Sequence, residues 1–197
     1  MRLKTKWHKQ QQRSLEDIAN TIGFLLWRIS HTTVDKMYQD GFNFETNEQL
    51  VNVIAEFSTF LLQCGGAKLY PQLSEEEFQR FVNGMAQKVA LTYKENMEQA
   101  RQGEASSRDI TTPFLEQLNQ RLADYAEFSY PDGKPSYPAL RYFGTVIAAI
   151  MPASGSDNKW IIEQVMEVEA PQMLQKLDKS LNDLLPTTED SVNSAPD

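Results

Sequence analysis

The sequence predicts an all-α protein, a single-domain bundle of six or seven helices with a long N-terminal helix. Three observations predict it. Apolar residues recur at spacings of three and four in nearly every segment, as one face of a helix requires. Proline and glycine fall between those segments, and no stretch alternates long enough to read as a strand. A chain of 197 residues fits one domain. Its 41% hydrophobic content, with 10 Phe, 7 Tyr and 3 Trp, supplies a core that needs no disulfide or metal staple.

Each element follows in order. Leu15, Ile18, Ile22, Leu25 and Ile29 make the stripe of the first helix, with Ser14 as N-cap, Asp17 three residues on, and Gly41 as the stop. Thr46 with Gln49 opens a second helix through Leu50, Ile54, Phe57, Leu61 and Cys64, expected to end at Gly65-Gly66. Ser74 with Glu77 is a capping box. It starts a helix buried through Phe78, Val82, Met85, Val89 and Tyr93 that runs to about Arg101. Gly103 to Asp109 reads as an exposed linker. Thr112-Pro113 is expected to be an N-cap followed by proline at the first helical position, ahead of Leu115, Leu118, Leu122 and Tyr125. Leu140, Phe143, Ile147 and Ile150 define a very apolar fifth helix ending before Pro152. Asp157 opens the last region, with Ile161, Val165 and Val168, then Leu174, Leu177, Leu181 and Leu184; Pro171 is expected to kink or divide it.

Charge divides the chain into three parts: a basic arm (1–13), a helical domain (14–185) and an acidic tail (186–197). Five of the 19 basic residues and none of the 27 acids lie in 1–13, so the arm carries +5 and the remainder −13. An acidic body repels phosphate backbones, which leaves only the arm for nucleic acid. Its Lys4, Lys6, Trp7, Lys9 and Arg13 mix cations with a ring, a combination that can hold phosphate and stack a base, or lie on the acidic body of a partner subunit with Trp7 as anchor. The tail, PTTEDSVNSAPD, has no apolar periodicity and is expected to be disordered.

Cys64, the one cysteine, excludes an intramolecular disulfide and suits a reducing compartment. Residues 1–13 offer no apolar signal core. The longest dense apolar run, read as Ile22 to Ile29, is interrupted by Arg28 and falls far short of the roughly 20 residues that span a bilayer. The expectation is a cytoplasmic protein without a membrane segment.

The stretch SLEDIANTIGFLLWRIS raises a sharper question. Ile18-Ala19, Gly23-Phe24 and Ile29 stand roughly where a DNA-binding helix-turn-helix puts its buried residues, its Ala and its turn Gly. A reading helix begun near Leu25 would present Leu25, Leu26 and Trp27 to water, forgoing about 1.5–3 kcal/mol of burial each. One continuous helix buries them, and Gly23 then costs about 1 kcal/mol relative to Ala. The magnitudes favour the continuous helix.

Candidate chemistry is sparse. Cys64, placed at an expected helix C-terminus and in register with the apolar stripe, reads as a core residue. His31 can meet Asp35 four residues on, an arrangement open to general-base use but more ordinary as a surface hydrogen bond. Glu75, Glu76 and Glu77 fill a first helical turn, where the helix dipole accounts for them. Glu163 and Glu167 repel at i and i+4. No metal-ligand, phosphate-loop or cofactor pattern occurs, so neither metal nor cofactor is expected.

The remaining distinctive segment is SYPDGKPSYP, followed by Arg141 and Tyr142. Its prolines stiffen it and Pro-Asp-Gly signals a turn. Two uses fit: a clamp across the helix ends held by its own tyrosines, or a recognition loop presenting Tyr130, Asp132, Lys134, Tyr137 and Arg141. The functional expectation is a non-enzymatic protein acting through protein–protein contacts, a homodimer in the first instance. The alternatives are nucleic-acid binding through the arm and small-ligand binding in an apolar cavity between helices.

Overall fold

The computed structural model describes residues 14–101, 109–151 and 158–184. The arm 1–13, with Lys4, Lys6, Trp7, Lys9 and Arg13, and the tail 186–197 lie outside the described residues, as does nearly all of the linker. The described residues form α1 (Leu15–Gln39), α2 (Asn47–Leu69), α3 (Glu75–Ala100), α4 (Thr111–Ala126), α5 (Tyr137–Ile150), α6 (Asn158–Gln164) and α7 (Ala170–Leu184). A π-helical turn, Val165–Glu169, joins α6 to α7, so the two make one interrupted rod. There are thus six rods and no strand among the described residues. The all-α bundle expected from the sequence is the fold.

Direction alternates at every connection. Glu16 pairs with Arg80, Ala19 faces Gly84 and Gly23 faces Met85 and Lys88, so α1 and α3 run parallel and in tight contact. Between them in the chain, α2 runs the other way, and it packs against α1, α3, α4, α5 and α7. It is the axis of the bundle. This accounts for its composition: Phe57, Phe60 and Leu61 are wholly buried, and Phe60 stacks on Phe143 of α5 at 4.1 Å between ring centroids. By length and composition the segment Asn47–Gln72 is apolar enough to cross a membrane, but 78% of its most apolar stretch is buried within the bundle. The densest apolar stretch is therefore here and not at Ile22–Ile29 as the sequence suggested.

α1 is unbroken. Its Ser14–Asp17 capping box is formed, and its far end closes on Gly41 (φ +97°), where Phe42 N–H bonds Met37 C=O and Gly41 N–H bonds Tyr38 C=O. Leu26 and Trp27 are buried and Leu25 half-buried, so the helix-turn-helix geometry is absent from this stretch.

Two expected boundaries moved. α2 does not stop at Gly65-Gly66 but continues to Leu69. The glycines are interior positions that neighbours approach closely, Gly66 by Phe78 and Val82 of α3 and Gly65 by Leu177 of α7. α4 begins one residue before Thr112, and the carboxylate of Asp109 does the capping, accepting from the Thr111 and Thr112 N–H groups. Pro113 is third in the helix, still within the turn whose N–H groups have no helical partner. The last region is interrupted, as expected of Pro171, with the break between α6 and α7 lying in the π turn Val165–Glu169 just ahead of the proline. The widened turn just before it, where Ala170 N–H reaches back to Val165 C=O, accommodates the ring and the missing donor.

Candidate functional site

A connected polar network leads from the apolar interior near the axis, at Glu56, out to the surface of α4. Glu56 sits in α2 between Ala55 and Phe57 with only 3% of its surface exposed. Arg121 of α4 meets it with two parallel bonds, Nε to Oε2 at 3.0 Å and Nη2 to Oε1 at 3.1 Å, and Gln117 donates to Oε1 at 2.9 Å. The remaining Arg121 nitrogen, Nη1, donates to the Tyr142 hydroxyl of α5 at 2.6 Å, and Tyr142 donates in turn to Asp124. Gln120 completes the set with a bond to Asp124. Helix geometry explains the convergence: Gln117, Arg121 and Asp124 lie at i, i+4 and i+7 on one face of α4.

The electrostatics follow from this geometry. Burial pulls the Arg121 guanidinium down, and the Glu56 carboxylate with Tyr142 more than reverses it, leaving Arg121 firmly charged. The bond from Tyr142, then that from Gln120, holds the Asp124 carboxyl below its usual value. Burial and the bond to Asp124 push the Tyr142 phenol up. Asp124 thus stabilises the fold above its ordinary pKa, and that contribution is lost as pH falls through the depressed folded value. In acid titrations followed by circular dichroism, Asp124→Asn is expected to be less stable than the parent at pH 7, with the gap narrowing as the pH falls through and below the ordinary aspartate range. A gap that stays constant across that range would contradict the assignment.

All three Arg121 nitrogens bond within the chain, so the network ties α2, α4 and α5 together. The recess beside it, bounded by Asn52, Thr59, Tyr93, Phe114 and Gln117, holds about 10 Å³, the room of one water molecule. Sequence reasoning missed this network. The available signal was a lone carboxylate, Glu56, inside the apolar run VNVIAEFSTFLL.

The Pro-rich loop is pinned to the lower end of α2. Asp132 and Gly133 adopt left-handed backbone, and Gly133 lies so close that a Cβ would stand 2.8 Å from Lys68 Cα. Tyr130 turns inward and packs on the core, and burial pushes its phenol up. Asp132, Lys134, Tyr137 and Arg141 face solvent, Tyr137 at 65% exposure. The loop residues are therefore not one surface: the first tyrosine serves as clamp and the second is displayed.

The other singled-out residues have ordinary settings. Cys64 is buried mid-helix and not at a helix end, and burial raises its thiol well above the usual value, which suppresses thiolate chemistry. His31 Nδ1 and Asp35 lie 2.9 Å apart, about half-exposed, as a surface pair. Glu77 closes the Ser74 capping box, whose bonds hold its carboxyl down. Among the described residues no group of three His, Cys, Asp or Glu is placed to hold a metal ion. The very apolar α5 turns Phe143, Val146, Ile147 and Ala148 into the molecule, where they are buried.

What the surface does display is an aromatic shelf at the upper end, around the α1–α2 connection. The indole of Trp160 lies flat on Phe42, 4.5 Å between centroids and 5° from parallel, with 54% of Trp160 exposed. Tyr38, 63% exposed, leans on Phe44 at 6.5 Å. Comparison of the chain with known protein families, curated proteins and solved structures finds no match.

Proposed function

We propose that this is a non-enzymatic helical protein that acts through protein–protein contact, with a second copy of itself as the first partner and the shelf of exposed Tyr38 and Trp160, backed by Phe44 and Phe42, as the contact surface. The supporting observation is the shelf itself. Trp160, already held flat by the stacked Phe42 ring, loses little freedom when covered, and Trp and Tyr dominate the energetics of interface centres. Among the described residues, the recess beside Arg121 has room for about one water molecule and not for a small-molecule ligand. A two-fold self-contact needs only one such patch, because the same surface serves both sides.

Sedimentation velocity over about 1–100 µM tests this. The parent chain is expected to move from monomer towards dimer across that range. Tyr38→Ser with Trp160→Ser should remain monomeric with unchanged helical circular dichroism. A parent chain that is monomeric throughout, or a double variant that dimerises equally well, would overturn the proposal.

A further inference from the structure

We infer that the basic arm, residues 1–13, docks back on its own chain, with Trp7 on the aromatic step made by Tyr70 and Phe78 at the lower end of the bundle. Tyr70 closes α2 and keeps 54% of its surface open, and its ring meets Phe78 edge-on at 4.9 Å. Phe78 is itself seated against Gly66, so the step is backed by the core and does not give way under a third ring. The arm leaves the described chain at this same end, because Ser14 caps α1 there and Glu16 of the first turn reaches Arg80 of α3 at 3.4 Å, two residues from Phe78.

Charge complementarity selects the occupant. Glu16 and Asp17 of α1 and Glu75, Glu76 and Glu77 of α3 are all exposed at this end of the bundle, where Arg80 pairs with Glu16. The arm brings five cations and a tryptophan, and no acid. Seven residue steps separate Trp7 from Ser14, enough for a reach of about 25 Å. Exposed ion pairs are individually weak. A short tether, however, holds the arm at an effective concentration near millimolar, so a contact too weak to form between molecules forms within one. While docked, the arm's cations are occupied, and a phosphate polyanion must displace the body's carboxylates to reach them.

The full-length chain tests this by trypsin cleavage at Lys4, Lys6 and Lys9 followed by mass spectrometry, with a free peptide of residues 1–13 as the rate reference. At about 20 mM salt, cleavage in the parent is expected to be about tenfold slower than in the peptide, and the protection should vanish near 500 mM. Glu75→Gln with Glu76→Gln, and separately Tyr70→Ser, should each abolish protection at low salt while the thermal midpoint of the body is retained. Cleavage at the peptide's rate in the parent, or protection unchanged in both variants, overturns the inference. Protection that grows with protein concentration overturns it as well, because the arm then sits on a second copy.

Discussion

Arg121→Met is expected to destabilise the protein by about 3–5 kcal/mol, measured by urea unfolding at pH 7. The cause is what it leaves behind. Glu56 is almost wholly enclosed between Ala55, Phe57 and α4, and without the guanidinium only Gln117 remains to it. Domains of this size are stable by about 5–15 kcal/mol, so the single change removes a large fraction of the total. Replacing both partners, Glu56→Leu with Arg121→Met, is expected to recover most of the loss, since a buried ion pair is worth little more than well-packed apolar residues of similar volume. A single-variant loss below about 1 kcal/mol would mean that water reaches Glu56 and that the network is not what joins α2 to α4.

Gly23→Ala is expected to destabilise by about 1–3 kcal/mol, against the intrinsic helix preference that favours Ala by about 1 kcal/mol. A Cβ at position 23 would stand 2.9 Å from both the Met85 carbonyl oxygen and Lys88 Cβ, and a backbone carbonyl cannot step aside. α1 and α3 would have to separate, which would also loosen Ala19 from Gly84. Gly66→Ala is the matched control. It too lies inside a helix, but its added methyl meets Phe78 and Val82 at 3.7–3.8 Å, ordinary contact distance, so it should be neutral or gain up to about 1 kcal/mol. Thermal midpoints read both, at roughly 2–4 °C per kcal/mol for a chain of this length. Equal effects of the two substitutions would show that helix propensity, not the α1–α3 approach, sets the role of Gly23.

These two glycines show where sequence reading stops. Both interrupt a helical pattern, and a pattern alone cannot separate a turn, a helix end and a close crossing. For Gly41, the local sequence was sufficient, because a left-handed cap draws only on neighbours along the chain. Gly23 and Gly66 take their meaning from residues 85, 88, 78 and 82, which only folding brings near. Pro171 is a case where the local signal held: the last region is interrupted, and the tertiary structure sets the break at the π turn just ahead of the proline.

From sequence alone came the class, the caps at Ser14, Thr46 and Ser74, the apolar stripes, and the burial of Leu26, Trp27 and Cys64. Those are consequences of periodicity and of short-range hydrogen bonding, which act over a few residues. Only the tertiary structure decided that α2 is the axis, that Glu56 and Arg121, 65 positions apart, form the ion pair beside it, and that Phe42 and Trp160 stack into an exposed shelf. Contacts of that kind depend on which helix faces which, and many arrangements of amphipathic rods satisfy the same spacing.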